Sequence, residues 1–198
     1  MVDDLAELIE ADFALPEGAD PSASERADAV LNPPDDAPRL VQVDGVALSE
    51  GVPSGGGDAP SEPVVTTLEA AAELWPDLVG ERLGSLVSSE DPFVARNDAA
   101  WRGGAFVYVP RGQRLEQPAQ IAAVHDADRA ALGFRTLIVI EEGGEAEVWE
   151  QWLATDEQRR GLFNTVTEVW VGAGANLRYV TAQGLGRSSW VFATQRAE

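Results

Sequence analysis

A pattern that returns every 31 residues constrains this chain more than anything else in it. Val107-Tyr108-Val109 is answered by Ile138-Val139-Ile140 and again by Val169-Trp170-Val171, and Gly112 is answered by Gly143 and Gly174. An extended segment follows each glycine, RLEQPAQI, EAEVWEQW and ANLRYVTA, which puts Leu115, Ala146 and Leu177 in one column. Alternating β-branched and aromatic residues read as strands, because successive side chains point to opposite faces. Glycine tolerates the positive φ at which such a strand turns a corner. Hairpins have no reason to keep a fixed step, whereas stacked coils must turn at the same place to lie on one another. The reading is a mainly β chain whose core is a parallel β-helix, with Gly112, Gly143 and Gly174 at its turns. Val107, Ile138 and Val169, with Val109, Ile140 and Val171, form the inner aliphatic ladder. Tyr108, Val139 and Trp170 face outward, and Tyr108 and Trp170 are the candidate outward-facing interface. A β-sandwich with evenly spaced strands is the competing architecture.

At 198 residues the chain has room for one good domain and an appendage. No stretch approaches the ~20 apolar residues of a membrane span, and the acidic start MVDDLAELIE is unlike a basic secretory leader. The expectation is a cytoplasmic protein. The absence of cysteine removes disulfides, thiolate catalysis and cysteine-ligated metal from anything these residues do alone. The formal charge of −20 is uneven: residues 1–98 carry 22 acids and 4 arginines, residues 99–198 carry 12 acids and 10 arginines, and lysine is absent. An acidic first half argues against binding nucleic acid or an anionic membrane.

Three regions follow. Residues 1–38 hold an acidic helix, with Asp3 as cap and Leu5, Leu8, Ile9 and Phe13 as its apolar stripe, and then a flexible linker rich in Pro, Ala and acids. Residues 39–98 begin with a hairpin around Asp44-Gly45, pass a second linker, GVPSGGGDAPSEP, and continue into short helices: one after Thr66-Thr67, one opened by Pro76 and running to Gly84, and one over Pro92 to Ala100. Residues 99–198 are the β-helix core.

No residue here carries catalysis, a cofactor or a metal on sequence grounds. His125 is the lone histidine, and a metal would need Asp126 and Asp128 beside it; a polar residue at a coil exit is the simpler reading. Glu141, Glu142 and Glu145 fall at the corner that Pro110-Arg111 and Gly172-Ala173 occupy in the neighbouring repeats, so position explains them. Ser188-Ser189 lacks a nucleophile elbow, and the glycines of RGGAF and VGAGAN lack the GK[ST] of a phosphate loop. Glu116, Glu147 and Arg178 share a column that sets opposite charges side by side. Trp149 and Trp152 read as packing residues.

The segments DPFVARNDAAWRGGAFVYVPRGQRLEQPAQ, FRTLIVIEEGGEAEV, NTVTEVWVGAGANLRYVTAQ and ATQRA, in that order, resemble the core of the SufB/SufD family of iron-sulfur cluster assembly proteins over residues 91–197. The hairpin and VVTTLEAAAELWPDLV resemble the approach to the core in SufD, and the lack of cysteine leans the same way. The resemblance implies a right-handed parallel β-helix with an N-terminal helical and hairpin region. It also implies a scaffold subunit of the SUF machinery and not an enzyme, paired with a SufB-like protein through its β-helix and working with the ATPase SufC. The iron-sulfur cluster would be handled by the assembled complex, with none bound by this chain alone.

Two departures accompany it. The cluster-related positions and the SufC-binding helices of the family lie beyond these coils, so no ligand or SufC contact is carried over. One more period places the counterpart of Val169 at position 200, past Glu198, so the core is expected to be C-terminally truncated just before a strand is due. Two other functions compete: a β-helix interaction module without assembly activity, and a carbohydrate-active β-helix enzyme using acids such as Glu142 and Glu145.

Overall fold

The computed structural model describes residues 13–16, 22–31, 37–48 and 57–198. Most of the expected N-terminal helix and much of the second linker lie outside the described residues, but the end of that helix is corrected here: Phe13 to Leu15 are not helical, and Ala14 forms a parallel bridge with Ala130. Within them the chain is a parallel β-solenoid of about three turns, fronted by short helices and a hairpin.

Seven strands make the coils: β4 (Gly104–Val109), β5 (Ala119–His125), β6 (Ala130–Ile140), β7 (Glu145–Ala154), β8 (Gly161–Val171), β9 (Asn176–Gly184) and β10 (Trp190–Ala197). They sort into two parallel sheets, β4-β6-β8-β10 and β5-β7-β9. Val107 pairs with Ile138 and Ile138 with Val169; Ala146 pairs with Leu177. Each is a step of 31. Like residues therefore stack, and Val107, Val109, Ile138, Ile140 and Val169 are buried together between the sheets, with Val171 packed against them. Gly112, Gly143 and Gly174 each sit at φ 67°, so one left-handed residue makes the same bend in every coil.

The period absorbs local slips. Ile121 faces Glu150, a step of 29, because coil one carries two additional residues near Glu116-Gln117 and returns them in the shorter loop before β6. Val169 pairs with Ala197, a step of 28. The expectation of a strand at position 200 is corrected here: that strand is β10, three residues early, because the loop between β9 and β10 is shorter than the one between β7 and β8.

Ahead of the coils, β1 (Arg39–Val43) and β2 (Val46–Ala47) form the hairpin about Asp44-Gly45, and β1 extends the second sheet in parallel with β5. The first sheet ends on β3 (Val64–Thr67), antiparallel to β4. Helix α1 (Ala23–Val30) occupies the stretch read as linker. Its two fully buried residues, Ala23 and Ala27, pack on Val41, Val43, Ala122 and Val124, and Arg26 grips Asp126 through Nε (2.8 Å) and Nη2 (2.5 Å). Helices α2 (Leu68–Leu74) and α3 (Pro76–Gly80) follow β3. Thr67 Oγ1 caps α2 by accepting from the Ala70 N–H, and Pro76 opens α3, which stops four residues short of the expected Gly84. Leu68, Ala71, Trp75, Leu78 and Val79 then cover Phe106, Tyr108, Leu137 and Val139, where each large apolar side chain buried stabilises the fold by roughly 1.5–3 kcal/mol. Helix α4 (Pro92–Ala100) is capped by Asp91, whose Oδ1 accepts from the Phe93 and Val94 N–H groups.

A buried charge pair fastens this cover to the sheet. Arg135 on β6 donates to Glu168 on β8 (2.8 Å), to Asn97 of α4 (3.2 Å) and to Asp98. The Glu168 carboxylate accepts in addition from the Gly84 and Leu86 N–H groups at 2.8 and 2.9 Å. Asn97 donates to the Phe134 and Asn164 carbonyls, and Asn164 to that of Phe93.

Three stability measurements follow. Glu168→Leu takes from Arg135 its fully buried counter-ion and leaves only the partly exposed Asp98, and is expected to lower unfolding free energy by roughly 3–5 kcal/mol in denaturant titration, while adding Arg135→Met recovers much of it; equal loss in both variants would remove the pair as the fastening. At Gly143 a methyl group makes no clash, only ordinary van der Waals contact with Gly112 Cα at 3.9 Å, so Gly143→Ala costs about 1 kcal/mol through φ alone. A methyl group on Gly161 overlaps the His125 ring, so Gly161→Ala costs about 3 kcal/mol.

Candidate functional site

The outward residues named from sequence fare differently. Tyr108 leaves the lumen as its strand parity demands, but α2 and α3 lie over it and leave it 6% exposed, so it is no free interface. Burial, with Glu141 beside it, pushes its hydroxyl up. Trp170, two coils further, is half-buried at the margin of that cover, and its Nε1 has no hydrogen-bond partner. Val139 between them is buried.

At the glycine corner Arg111 forms a salt bridge to Glu142 of the next coil, which holds that carboxyl below the usual range and so keeps it from serving as a proton donor. Glu141 lies 3.5 Å from Arg82, and Glu145 is exposed at the start of β7. In the shared column Arg178 reaches Glu147 at 3.2 Å, and Trp149 Nε1 donates to the same carboxylate at 2.6 Å. His125 is wholly buried, with Nε2 donating to the Ala127 carbonyl and its ring edge against Phe163. Burial lowers its pKa and keeps it neutral. Its neighbours are engaged elsewhere: Asp44 accepts from the Asp126 and Ala127 N–H groups, Asp126 binds Arg26 and Thr155, and Asp128 accepts from the Arg160 N–H. Among the described residues no group of three or more His, Asp or Glu side chains is placed to hold a metal. Ser189 Oγ donates to the Arg159 carbonyl.

Inside the solenoid the lining changes along the axis. At the β1 and β4 end it is Leu40, Ala105, Val107 and Ile121; toward β8 and β9 it acquires Glu150, Thr165, Thr167 and Tyr179. Glu150 lies between the inward-facing Val148 and Trp152 on β7 and is fully buried. It accepts from Trp152 Nε1 (3.0 Å), Thr136 Oγ1 (3.2 Å) and the Tyr179 hydroxyl (2.5 Å), the last sharing Thr167 Oγ1 at 3.4 Å. Burial raises the Glu150 pKa despite these donors, and it raises that of Tyr179 as well. Sequence reading passed Glu150 by, although the alternation of EAEVWEQW with Val148 and Trp152 inside already assigns it to the lumen.

Two backbone edges flank this polar end. β9 closes one sheet and β10 the other, and neither outer edge has a strand partner among the described residues. On β10 Trp190 and Val191 are 44% and 37% exposed, while Phe192 stacks on Phe93 at 4.0 Å.

A carboxyl whose pKa is raised on folding favours the native state fully below its unfolded value and loses that contribution as pH rises through the native value. Glu150 therefore makes stability decline as pH rises from about 4.5, its ordinary value, and Glu150→Gln is expected to flatten that decline. Denaturation midpoints of both proteins between pH 4.5 and 8 give the difference; identical pH profiles would mean that Glu150 is ionised throughout.

With this geometry in hand, comparison with known proteins places the chain. Residues 46–121 match the family model described as the SufBD protein N-terminal region, and residues 123–198 match the one described as the SufBD core domain of SUF system FeS cluster assembly. The chain is 32% identical over 121 residues to a chloroplastic iron-sulfur cluster assembly SufBD family protein of Arabidopsis thaliana, covering 61% of this chain and 22% of the relative. It is 31% identical over 121 residues to a SufBD family protein of Staphylococcus epidermidis, covering 61% and 26%, and 31% identical over 108 residues to the iron-sulfur cluster assembly protein SufB of Bacillus subtilis, covering 54% and 23%. It thus spans about a quarter of the length of these relatives. Two models of one family, laid end to end over the coils and the elements that close them, make the assignment: the chain belongs to the SufB/SufD family of iron-sulfur cluster assembly proteins.

Proposed function

We propose that the chain acts as a SufD-like scaffold subunit of the SUF machinery, pairing with a SufB-like protein and working, through it, with a SufC-like ATPase. The observation that carries this reading is the parallel β-solenoid itself, whose coils match the SufBD core domain. An open edge offers a row of N–H and C=O groups to a further strand, and a solenoid end offers two rows at once. Assignment as SufD-like rests on the absence of cysteine, the natural soft ligand of a nascent cluster. The cluster is then cargo of the assembled complex, ATP hydrolysis belongs to the ATPase, and this chain contributes no catalysis of its own. The described residues contain no helix long and apolar enough to cross a membrane, which accords with work in the cytoplasm.

The test uses the hydrogen-bond phase of the edges. Glu198 exchanges backbone bonds with Val169 and Val171, so on β10 the even-numbered residues bond to β8 and Gln195 presents its N–H to the open side. Asn176 likewise bonds inward to Gly144, which turns the Thr181 N–H outward on β9. The double variant Thr181→Pro/Gln195→Pro removes outward donors without an internal bond. Co-expressed with SufB-like and SufC-like proteins, the parent chain is expected to co-purify with the SufB-like partner, and the double variant, folded by circular dichroism, is expected to lose it. Recovery of neither partner with the parent chain would overturn the reading. Pairing without any gain in cluster formation would leave an interaction module.

A further inference from the structure

The helices described on the outside of the solenoid are held there by different means. Helices α2 and α3 set Leu68, Trp75, Leu78 and Val79 against the first sheet, and α4 is tied through Asn97 and Asp98 to the buried Arg135. Helix α1 has neither kind of anchor. Its two fully buried residues are Ala23 and Ala27, each offering the second sheet a single methyl group, and its larger apolar residue, Val30, is only half-buried. Its ends are weak as well. Ser22 at the N-cap makes no side-chain capping bond, since its hydroxyl accepts from Arg26 Nη1 at 2.6 Å, and Asp28 in the last turn opposes the helix dipole. Eight residues with such ends do not hold a helix by themselves in water.

What remains is one ion pair, and it is built asymmetrically. Among the described residues Arg26 is the one side chain of α1 that hydrogen-bonds to the coils, through Nε and Nη2 to the two oxygens of Asp126. Asp126 has supports of its own: its carboxylate accepts from Thr155 Oγ1 at 2.7 Å, and its N–H donates to Asp44 Oδ1 at 3.0 Å. The Arg26 side chain is 37% exposed and that of Asp126 only 6%, so water reaches the pair from the helix side. Beneath α1 lies an apolar strip. Val43, Val124 and Leu153 pair in register across β1, β5 and β7, and Val41 and Ala122 form the next row. All but Leu153 are buried under the helix, while Leu153 is half-buried beside them.

We infer that α1 is a releasable cover, with Arg26 as its catch and Asp126 as a fixed keeper, and that its release opens the strip of Val41, Val43, Ala122, Val124 and Leu153 while the coils stay folded. Two alanine methyl groups bury little area, so α1 leaves at a free energy well below that of unfolding the solenoid. Because Thr155 and Asp44 hold the keeper in place, the helix returns to the same site.

Native-state hydrogen exchange of the whole chain, read by mass spectrometry, tests this. Peptides covering α1 are expected to exchange about a hundredfold faster than those covering α4 and β8, by an opening that mild denaturant does not merge with global unfolding. Arg26→Gln or Asp126→Asn is expected to speed exchange in α1 about tenfold further, the scale of a charge-assisted hydrogen bond, and to leave α4 and β8 unchanged. Exposure of the strip is read separately with an apolar fluorescent dye, which Arg26→Gln is expected to bind several-fold more than the parent chain. Arg187→Gln, which removes an exposed arginine from the loop between β9 and β10, controls for net charge and changes neither signal. Exchange of α1 only through global unfolding, variants that speed every element alike or leave α1 unchanged, or dye binding that does not rise would overturn the proposal.

Discussion

Register between coils is the constraint on which everything else rests. A parallel ladder allows each coil to lie on the last only if the chain comes back to the same side-chain parity after one circuit, because a shift of one residue turns the inner face outward. The 31-residue step meets that condition at β4, β6 and β8, and the three left-handed glycines make the bend repeatable. Where coil one carries two further residues, it slips by an even number and keeps Ile121 over Glu150 inside. The three-residue shortening before β10 falls in a loop, and Ala193 still lands on Thr165. Loop length is free where parity is not.

Charge inside this structure is tolerated only where the backbone or a partner answers it. Glu168 would be untenable against a sheet face without Arg135 and the two N–H groups of the loop before α4. That requirement turns an electrostatic cost into a positional device, since the loop and α4 must stand where their donors and acceptors meet Arg135. Asp126 does the same for α1. Arg26 holds its carboxyl below the ordinary range, which fixes a helix whose buried residues are only alanines. Glu150 follows another course: burial raises its pKa, and its donors come from three different strands and so tie β6, β7 and β9 together across the lumen.

The division between what the sequence tells and what it withholds follows the same physics. Periodic features were legible, namely the ladder, the corners, the hairpin and helix α4 to its ends, because each is a local rule repeated or capped. Helix α1 was illegible, since Ala23 and Ala27 give no apolar stripe and their burial depends on Val41 and Val124 far along the chain. Tyr108 illustrates a different limit. Parity separates inside from outside, but only the packing of α2 and α3 decides whether the outside is wet. Strand β10 was missed: a strict period put the counterpart of Val169 at position 200, and nothing local fixes the loop that brings it to Ala197 instead. Glu150 and Glu168 were assignable to opposite faces by parity alone, and were passed over because a glutamate in a strand is ordinarily solvated.

The two ends of the solenoid are consequently unlike in chemistry as well as position. At one end β3 runs antiparallel to β4 and the hairpin doubles back on β1, so continued parallel stacking is blocked there and recognition has to use side chains. At β9 and β10 the coils are nearly neutral and what is offered is backbone, whose hydrogen bonds demand register and respond little to ionic strength.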